Sequence, residues 1–552
     1  MRGAVLIFFF LVVRHSFAQE NDIPLGTWRL HLNYSKIKSL AEAGEHVYGA
    51  ADFGLMYVDF QERSTGSITK LNGLSGIGVN YIANDEQKKI LIIGYQDGTI
   101  DFLEKEKIVN LQTLKTTVGI SGSRAINHLS VTGKTVYAST DFGVVVLDIE
   151  KKEIRETWRD LGITGKTIRI HQSTILKDSI FLATEKGVWC GSLKANLLDY
   201  NNWKKYNSGE FGNGVKTIAT FNNSIYTSVD GIGIFRKQGN SWIKEAFLQN
   251  KNYSKLKGTE SRLFVCSGAA LWQVDTQNQL TEIKSTALTQ ANDVLEKEGS
   301  LYIADNSNGI LFRGKDNEVL SFITSGPRLN SFWDIRYDQN SVHAIGGGYT
   351  EGLLPINNPG HVSSFSNGWS SSMLSVTDIT DFDLSNPSQT FYSSFKNGLL
   401  EIKSQQELKF DNTNSPLENN SITAIEKTAD GLWVANYNAN KPLHLLKGDG
   451  LWESFSFTFS PAKFPMDLIQ DTENNLWMVV SPKDGGGLVV FNRQLNKSVY
   501  LNDQGNQGGL PSKRVHSIAT DRTGRVWVGT RSEEHTSELQ SPSIISYAVF
   551  CL

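Results

Sequence analysis

Apolar and polar positions alternate along the chain in short runs, and the same arrangement returns about every 44 residues. Each repeat begins with an apolar patch, passes through a turn into a short apolar strand, and reaches another strand after a turn that contains glycine. Residues 126–148 show the unit, with Val136-Tyr137-Ala138 as its second strand. Alternating strands at this period are typical of a β-propeller, in which one repeat forms one four-stranded blade. The pattern therefore predicts an all-β fold of tandem β-propellers.

Seven repeats can be traced in the first part of the chain, which predicts a seven-bladed propeller over residues 19–325. Their second strands begin at Val47, Ile90, Val136, Ile180, Ile225, Leu263 and Leu301. Two strand-like segments, 27–32 and 319–322, flank this series. We expect both segments to join one blade, because a sheet shared by the two ends of the series removes the exposed edge between the first and last blades.

A second series of five repeats starts near Phe332 and predicts a second, incomplete propeller over residues 326–530. Its strands include 342–345, 391–394, 432–435, 476–479 and 526–528. The last three follow a turn rich in Asp, Asn and Gly and contain Leu-Trp or Val-Trp. An open arc of repeats leaves edges unpaired, so we expect this unit to have low stability by itself.

The N-terminal residues 1–18 have the pattern of a secretory signal peptide. A basic residue at position 2 precedes an apolar stretch over 4–13, and Ser16-Phe17-Ala18 has small residues at the positions that a signal peptidase reads. Cleavage is expected after Ala18. The alternative, a membrane anchor, is disfavoured because Arg14 and His15 end the apolar stretch before it is long enough to span a bilayer. We expect the mature protein to be exported.

The last residues, 531–552, match the translation of a common sequencing adapter around a short variable index at 542–544. We interpret this segment as not native and exclude His535 and Cys551 from any site. The alternative is a C-terminal helix capped at Ser532. On the first interpretation the reading frame stops inside a repeat, so the second propeller is truncated.

The amino-acid composition narrows the class of protein but indicates no particular catalytic or binding activity. The chain has 552 residues, 39% of them hydrophobic and 20% charged, which suits two globular domains. A formal charge of −3 and the lack of a Lys/Arg cluster argue against a nucleic-acid partner. An exported domain stabilised by disulfides would have more cysteines, in pairs, than the three found in this chain. We expect Cys190 and Cys266 to be buried and free.

No residue is singled out as catalytic, cofactor-binding or metal-ligating. Eight histidines remain in the mature native part, and none has metal-ligand spacing; they are His31, His46, His128, His171, His343, His361, His444 and His516. Of these, His128, His171 and His516 lie in apolar first strands and are interpreted as structural. The chain has no Gly-x-Ser-x-Gly motif.

Two glycine runs and one acidic turn resemble binding loops only superficially. The runs 346–348 and 485–487 lie between strands with no helix or lysine after them, so a turn or bulge is favoured over a phosphate loop. The segment 471–475 lacks the ligand ladder of a calcium loop and is interpreted as a hairpin turn. No cofactor is therefore expected.

Tryptophan occurs at one recurring repeat position, which indicates packing between blades; these residues are Trp189, Trp272, Trp433, Trp477 and Trp527. Four others lie in connecting or outer segments, where exposure and a sugar- or partner-binding role remain an alternative; they are Trp203, Trp242, Trp369 and Trp452.

Two stretches carry a family resemblance. The residues Asp521, Gly524, Trp527, Gly529 and Thr530 resemble the two-component-regulator propeller repeat, which segments 431–435 and 476–477 match in part. The run 26–31, followed by 38–40 and 52–57, is similar to the PorZ family, surface components of the type IX secretion system of Bacteroidota. Members of that family have two propellers and a C-terminal secretion-signal domain, which this chain is expected to lack.

The resemblance implies a non-enzymatic role at the cell surface or outer membrane. Members act there with the sortase PorU, the shuttle PorV and PorQ, in a complex that removes the sorting signal of cargo proteins and joins the cargo to anionic lipopolysaccharide. The resemblance implies that this chain helps to bind or deliver that glycolipid.

Two other classes stay open from the sequence. The same repeats form the periplasmic ligand-sensing double propeller of hybrid two-component histidine kinases, and the segment 28–31 favours the secretion family over that class. A propeller hydrolase or lyase would need acids that converge on a central tunnel, and the sequence singles out none.

Overall fold

The structure is a computed structural model that describes residues 29–531 except 118, 119, 121, 162–165, 339 and 505–507. The proposed signal peptide lies outside the described residues, as does the adapter segment apart from Arg531. Forty-six described strands form eleven four-stranded antiparallel sheets and one two-stranded sheet. Helix is confined in these residues to α1 (Thr113–Thr116) and short 3-10 turns at Lys70–Asn72, Tyr200–Asn202, Gly209–Asn213, Ser460–Lys463 and Pro482–Asp484. The prediction of an all-β, tandem-propeller fold is confirmed.

The first unit has seven consecutive four-stranded sheets, each a meander in chain order. The first two contain β1 (Leu40–Ala43), β2 (His46–Ala51), β3 (Gly54–Asp59), β4 (Thr65–Ile68), β5 (Val79–Asn84), β6 (Ile90–Tyr95), β7 (Ile100–Glu104) and β8 (Lys107–Leu111). The next two contain β9 (Ile126–Thr132), β10 (Thr135–Thr140), β11 (Gly143–Asp148), β12 (Glu153–Arg159), β13 (Ile170–Leu176), β14 (Ser179–Thr184), β15 (Gly187–Ser192) and β16 (Trp203–Tyr206). The last three contain β17 (Thr217–Phe221), β18 (Ser224–Val229), β19 (Gly233–Gln238), β20 (Ser241–Lys244), β21 (Lys255–Gly258), β22 (Arg262–Ser267), β23 (Ala270–Asp275), β24 (Leu280–Ile283), β25 (Ala291–Lys297), β26 (Ser300–Asp305), β27 (Ile310–Arg313) and β28 (Val319–Phe322).

The second unit has four four-stranded sheets and one of two strands. The first two contain β29 (Asp334–Asp338), β30 (Ser341–Gly346), β31 (Pro359–Phe365), β32 (Trp369–Thr377), β33 (Ile379–Asp383), β34 (Gln389–Ser394), β35 (Gly398–Lys403) and β36 (Gln406–Phe410). The others contain β37 (Ile422–Thr428), β38 (Gly431–Asn436), β39 (Leu443–Leu446), β40 (Trp452–Phe455), β41 (Pro465–Gln470), β42 (Asn475–Val480), β43 (Leu488–Asn492), β44 (Lys497–Leu501), β45 (Val515–Thr520) and β46 (Val526–Thr530). The predicted division near residue 325 falls between β28 and β29.

Apolar side chains of neighbouring sheets interlock and form the core. Ile92 and Phe102 of the second sheet, for example, pack with Val136 and Val145 of the third, and all four are fully buried. Because side chains alternate between the two faces of a strand, each sheet packs one face against the preceding sheet and its other face against the next sheet. The hydrophobic stabilisation is therefore distributed along the ring of sheets and is not concentrated at its centre.

The first unit is closed by contacts between its first and seventh sheets, which we call the closing seam. Asp293 Oδ2 accepts the Leu40 N–H at 2.9 Å, and Asn292 Nδ2 donates to the Ile37 carbonyl at 2.8 Å. The Ile37 N–H in turn donates to the carbonyl of Asp305 at 3.0 Å. These bonds link residues far apart in the sequence, so the ring of seven sheets is continuous.

The expectation that both ends of the series share one sheet is wrong for the described residues. Residues 319–322 do form β28, but residues 29–32 form no strand. All four strands of the seventh sheet come from 291–322. The seam bonds, together with buried Tyr34 and Ile37 packed against Tyr302 and Phe312, provide the closure instead.

The segment before the first sheet reaches the second unit. Trp369 Nε1 donates to His31 Nδ1 at 2.9 Å, and the His31 ring lies 4.7 Å from that of Phe365. Nearby, Asn33 N donates to Asn330 Oδ1 at 3.1 Å. The junction between the units is therefore partly polar.

Both cysteines of the described residues are free, with Cys266 buried and Cys190 only half-buried. The expectation of burial thus holds for one of them. In the same part of the chain no helix is long and apolar enough to cross a membrane.

Candidate functional site

A β-bulge recurs in the first strand of the sheets and places one side chain of each at the centre of its unit. The pairing register shifts between the first and third residues of that strand, which leaves the second residue unpaired. The shifted pairs are Val79/Tyr81, Ile170/Gln172, Ala291/Asp293, Ile379/Asp381, Ile422/Ala424, Pro465/Asp467 and Val515/Ser517. The bulge re-aims the third residue of each strand, so polar residues at this position are candidates for function.

The unpaired second residue joins each sheet to its neighbour. Asn80 Nδ2 donates to the Ile126 carbonyl at 2.8 Å, and Thr380 Oγ1 donates to the Ile422 carbonyl at 2.7 Å. The same bond is made by Asn127 to Ile170, Asn292 to Ile37 and Thr423 to Pro465. This recurrence explains the Asn or Thr found after the first apolar residue of these repeats.

The first tunnel is a cavity of about 690 Å³ at the centre of the first unit. First strands of the sheets line it with Tyr81, His128, Gln172, Lys255 and Lys257. The two lysines are separated by one residue in β21, so both side chains lie on the same face of that strand. The intervening Leu256 is fully buried in the core.

Three lysines, Lys177, Lys255 and Lys257, line the first tunnel, and one of them pairs with a carboxylate outside the lining. Lys255 is 7% exposed, donates to Tyr81 Oη at 3.0 Å and lies 4.5 Å from the centre of the Tyr81 ring. Burial lowers the pKa of Lys255 to about 8. Lys257 Nζ lies 3.1 Å from Oδ1 of fully buried Asp293. Burial, and then the two lysines, lower the pKa of His128 well below its usual value, so that ring is neutral at pH 7.

The second tunnel is a cavity of about 420 Å³ in the second unit and is acidic. Asp334, Asp381 and Asp467 line it together with Arg336. Arg336 Nε contacts Asp334 Oδ2 at 3.0 Å, and its Nη2 pairs with Asp381. Asp381 also accepts the N–H groups of Phe382 and Ile425, each at 2.7 Å, so it is fully occupied.

Two further carboxyls near Arg336 have no basic partner of their own among the described ion pairs. Burial raises the pKa of Glu426 to about 7 and that of Asp467 to about 6. The second unit thus brings together acidic side chains that the sequence did not single out. Asp381 and Asp467 occupy the same repeat position, after Ile379-Thr380 and Pro465-Met466, and this shared position was the signal available in the sequence.

Replacing Glu426 with Gln should stabilise the protein at high pH. Because burial raises the pKa of Glu426 from 4.5 to about 7, the folded state binds this proton more tightly and loses stability as the pH rises through that window. Glu426→Gln, which keeps an acceptor for the Gln470 N–H, should raise the free energy of unfolding by about 1–3 kcal/mol at pH 8 and change it little at pH 4.5. Urea unfolding of the chain at both pH values measures this, with exposed Glu407→Gln as control. Equal gains in the two variants at pH 8 would contradict the assignment.

The structure separates the three histidines interpreted as structural. His128 is 8% exposed and lines the first tunnel, whereas His171 is half-buried in β13. His516 is exposed in β45 and lines the second tunnel. No group of three or more His, Cys, Asp or Glu in the described residues could hold a metal ion.

The tryptophans at the recurring position are buried between sheets, with one exception. Trp189, Trp272, Trp433 and Trp477 are at most 9% exposed, whereas Trp527 is 38% exposed in the last sheet. Of the four outer tryptophans, Trp203 is buried and Trp242, Trp369 and Trp452 are half-buried. The alternative of an exposed sugar platform therefore finds no fully exposed ring among them.

The acidic turn at 471–475 is a hairpin turn whose aspartate is already occupied. Asp471 Oδ1 accepts the N–H groups of Glu473 and Asn475, and its Oδ2 accepts Trp477 Nε1 at 2.8 Å. Asp521 holds Trp527 in the same way at 3.0 Å. The spacing of Asp and Trp in this repeat thus serves to fix the turn against the indole.

The two glycine runs lie in connections between strands. Gly485, Gly486 and Gly487 all have positive φ values, of 120°, 71° and 85°, which only glycine adopts without strain. Gly346 ends β30, and Gly347 makes an isolated bridge with Ile379. Both runs therefore shape turns.

Comparison with known proteins agrees with this architecture. Residues 47–204 match the family model described as the N-terminal β-propeller domain of PorZ of the type IX secretion system, and residues 509–532 match the two component regulator propeller. No curated protein matches the chain.

Two solved structures are similar to the chain at low sequence identity. PorZ, an essential surface component of the type IX secretion system of Porphyromonas gingivalis, is 20% identical, with 92% of this chain and 72% of that chain covered and a TM-score of 0.76. The extracellular domain of a putative hybrid two component system from B. thetaiotaomicron is 16% identical, with 91% and 75% covered and a TM-score of 0.43.

The sheets and their two tunnels define a tandem β-propeller protein. Its first unit carries the sequence pattern of the PorZ N-terminal propeller, and its described residues share the PorZ fold. The chain is thus similar to PorZ in sequence over residues 47–204 and in fold over its described residues.

Proposed function

We propose that this chain is a non-enzymatic component of the type IX secretion system. It acts at the cell surface or outer membrane in the attachment complex, where it helps to bind or deliver anionic lipopolysaccharide for cargo anchoring by the sortase. The family match over residues 47–204 is the observation that carries the proposal. The shared fold with an essential surface component of that system supports it.

The charge of the first tunnel is compatible with an anionic glycolipid. Lys177, Lys255 and Lys257 line this cavity, its described lining residues include no carboxylate, and Lys257 pairs with the neighbouring Asp293. The acidic second tunnel has no such excess of positive charge, because three aspartates surround one arginine.

Co-purification tests the partnership. The tagged chain, incubated with a detergent extract of a bacterium that has a type IX secretion system, should enrich the PorU-type sortase and the PorV-type shuttle. An unrelated propeller with the same tag serves as the matched control, because it presents similar blade edges without the family sequence. Enrichment no greater than that of the control would overturn the proposed partnership.

A further inference from the structure

We propose that the first tunnel is a binding site for a negatively charged sugar, whose anionic group contacts Lys255 and Lys257. The inference rests on the proposed function only for the origin of the ligand, and the site itself is argued from the tunnel. The shared chemistry is an oxyanion carried by a sugar, either a phosphate ester or a carboxylate.

Lys255 has a buried ammonium group without a carboxylate partner among the described ion pairs. A lysine that is 7% exposed normally pairs with a carboxylate, because removing an ammonium group from water is costly. Among the described residues, no carboxylate lies within 4.0 Å of its Nζ, and its hydrogen bond goes to the neutral Tyr81 hydroxyl. Since an ammonium group has three N–H donors, it retains capacity to donate toward the cavity.

The charge around Lys255 is positive. The neighbouring Lys257 is paired with Asp293, and both oxygens of Asp293 are occupied, by Lys257 and the Val294 N–H on one side and the Leu40 N–H on the other. The aspartate is thus committed to the closing seam. With Lys257 paired, the ammonium groups of Lys255 and of the exposed Lys177 remain available to an anionic ligand in the cavity.

The walls of the tunnel suit a sugar. Tyr81 and His128, with ring centres 4.5 Å apart, line the cavity together with the polar side chain of Gln172. Thr174 and Thr220 line the same cavity, and their hydroxyl groups lie 2.9 Å apart. A volume of about 690 Å³ is in the range of small-molecule sites.

Titration calorimetry on the full chain tests the site with three probes: glucose 1-phosphate, glucuronate and neutral glucose. One or both anionic sugars should bind, and neutral glucose should bind at least about tenfold more weakly, because a charge-assisted hydrogen bond contributes about 1.5–3 kcal/mol. Binding of the phosphate alone or of the carboxylate alone identifies the ligand class. Equal binding of glucose, or binding of no probe, would overturn the proposal.

Variants locate the binding. Lys255→Met keeps the length of the side chain without its charge and should weaken binding of the anionic sugar at least about tenfold. Lys151→Met, at a lysine that is 70% exposed in a turn outside the tunnel, is the matched control and should leave the affinity unchanged. If Lys255→Met proves unfolded by circular dichroism, Lys257→Gln replaces it in the comparison. Wild-type affinity in the folded tunnel variant would refute the site.

This result is separable from the proposed function. Failure of the wild-type chain to bind any anionic sugar, with the sortase still co-purified, would refute the tunnel site alone. Sugar binding that depends on Lys255, with no partner enriched, would refute the secretion partnership and leave the site standing.

Discussion

Replacing Asp305 with Ala should lower the free energy of unfolding of the first unit by about 3–5 kcal/mol, the range for breaking a buried charged network. The side chain of Asp305 is fully buried at the end of β26. Its Oδ1 accepts Thr289 Oγ1 and the N–H groups of Ser307 and Asn308. Its Oδ2 accepts the N–H groups of Thr289 and Gln290.

The expected effect is large because the fully buried carboxylate accepts five hydrogen bonds from two chain segments, 289–290 and 307–308. A buried N–H group left without an acceptor costs about 1–3 kcal/mol. The same residue also accepts the Ile37 N–H through its carbonyl, so a distorted turn would loosen the closing seam. Because the structure shows no strand from 29–32 in the seventh sheet, the seam depends on such bonds.

Asp275→Ala is the matched control for this variant. Asp275 also accepts turn N–H groups, those of Gln277 and Gln279, but it is half-buried and lies away from the seam. Its loss should cost about 1 kcal/mol. Urea unfolding followed by intrinsic fluorescence compares the two, and equal losses would contradict the role given to Asp305.

The repeat of about 44 residues allowed the architecture to be predicted from the sequence. The closure of the ring could not be predicted in this way. Strand pairs such as 136–138 with 143–147 are visible because apolar residues alternate with turn signals over a few residues. The closure depends on Asp293 and Leu40, which are 253 residues apart and carry no local signal. One sheet formed by both ends of the series was expected to close the ring, but side-chain hydrogen bonds close it instead.

The tunnels were also inaccessible from local patterns. Lys255 lies in a strand with a second lysine and Asp381 in an apolar strand, and neither segment indicates which neighbours its charged group will meet. The β-bulge places the third residue of the strand at the centre, and only the ring brings Tyr81 to Lys255 from another sheet. Comparing the third position across repeats would have revealed Asp293, Asp381 and Asp467 together.

Deletion of the gene in the bacterium that encodes the chain should abolish cargo attachment to the cell surface. On the proposed function, the attachment complex lacks the component that brings anionic lipopolysaccharide to the sortase. Cargo proteins should then retain their C-terminal sorting signal and lack the attached glycolipid. Total cargo synthesis should not change, because the defect lies after export from the cytoplasm.

Restoring the gene supplies the control for this deletion. The wild-type gene should return attachment, and the Asp275→Ala variant, which is expected to fold, should do so equally. A gene encoding the unrelated propeller used in the co-purification should not restore it. This pattern would separate a specific role from a general effect of an exported propeller.

The most direct test of the secretion role is the mass of one cargo protein recovered from the surface of the deletion strain. The proposed secretion role predicts a cargo with its sorting signal intact and no lipopolysaccharide attached, and a processed, modified cargo after restoration. Processed and modified cargo in the deletion strain itself would contradict it.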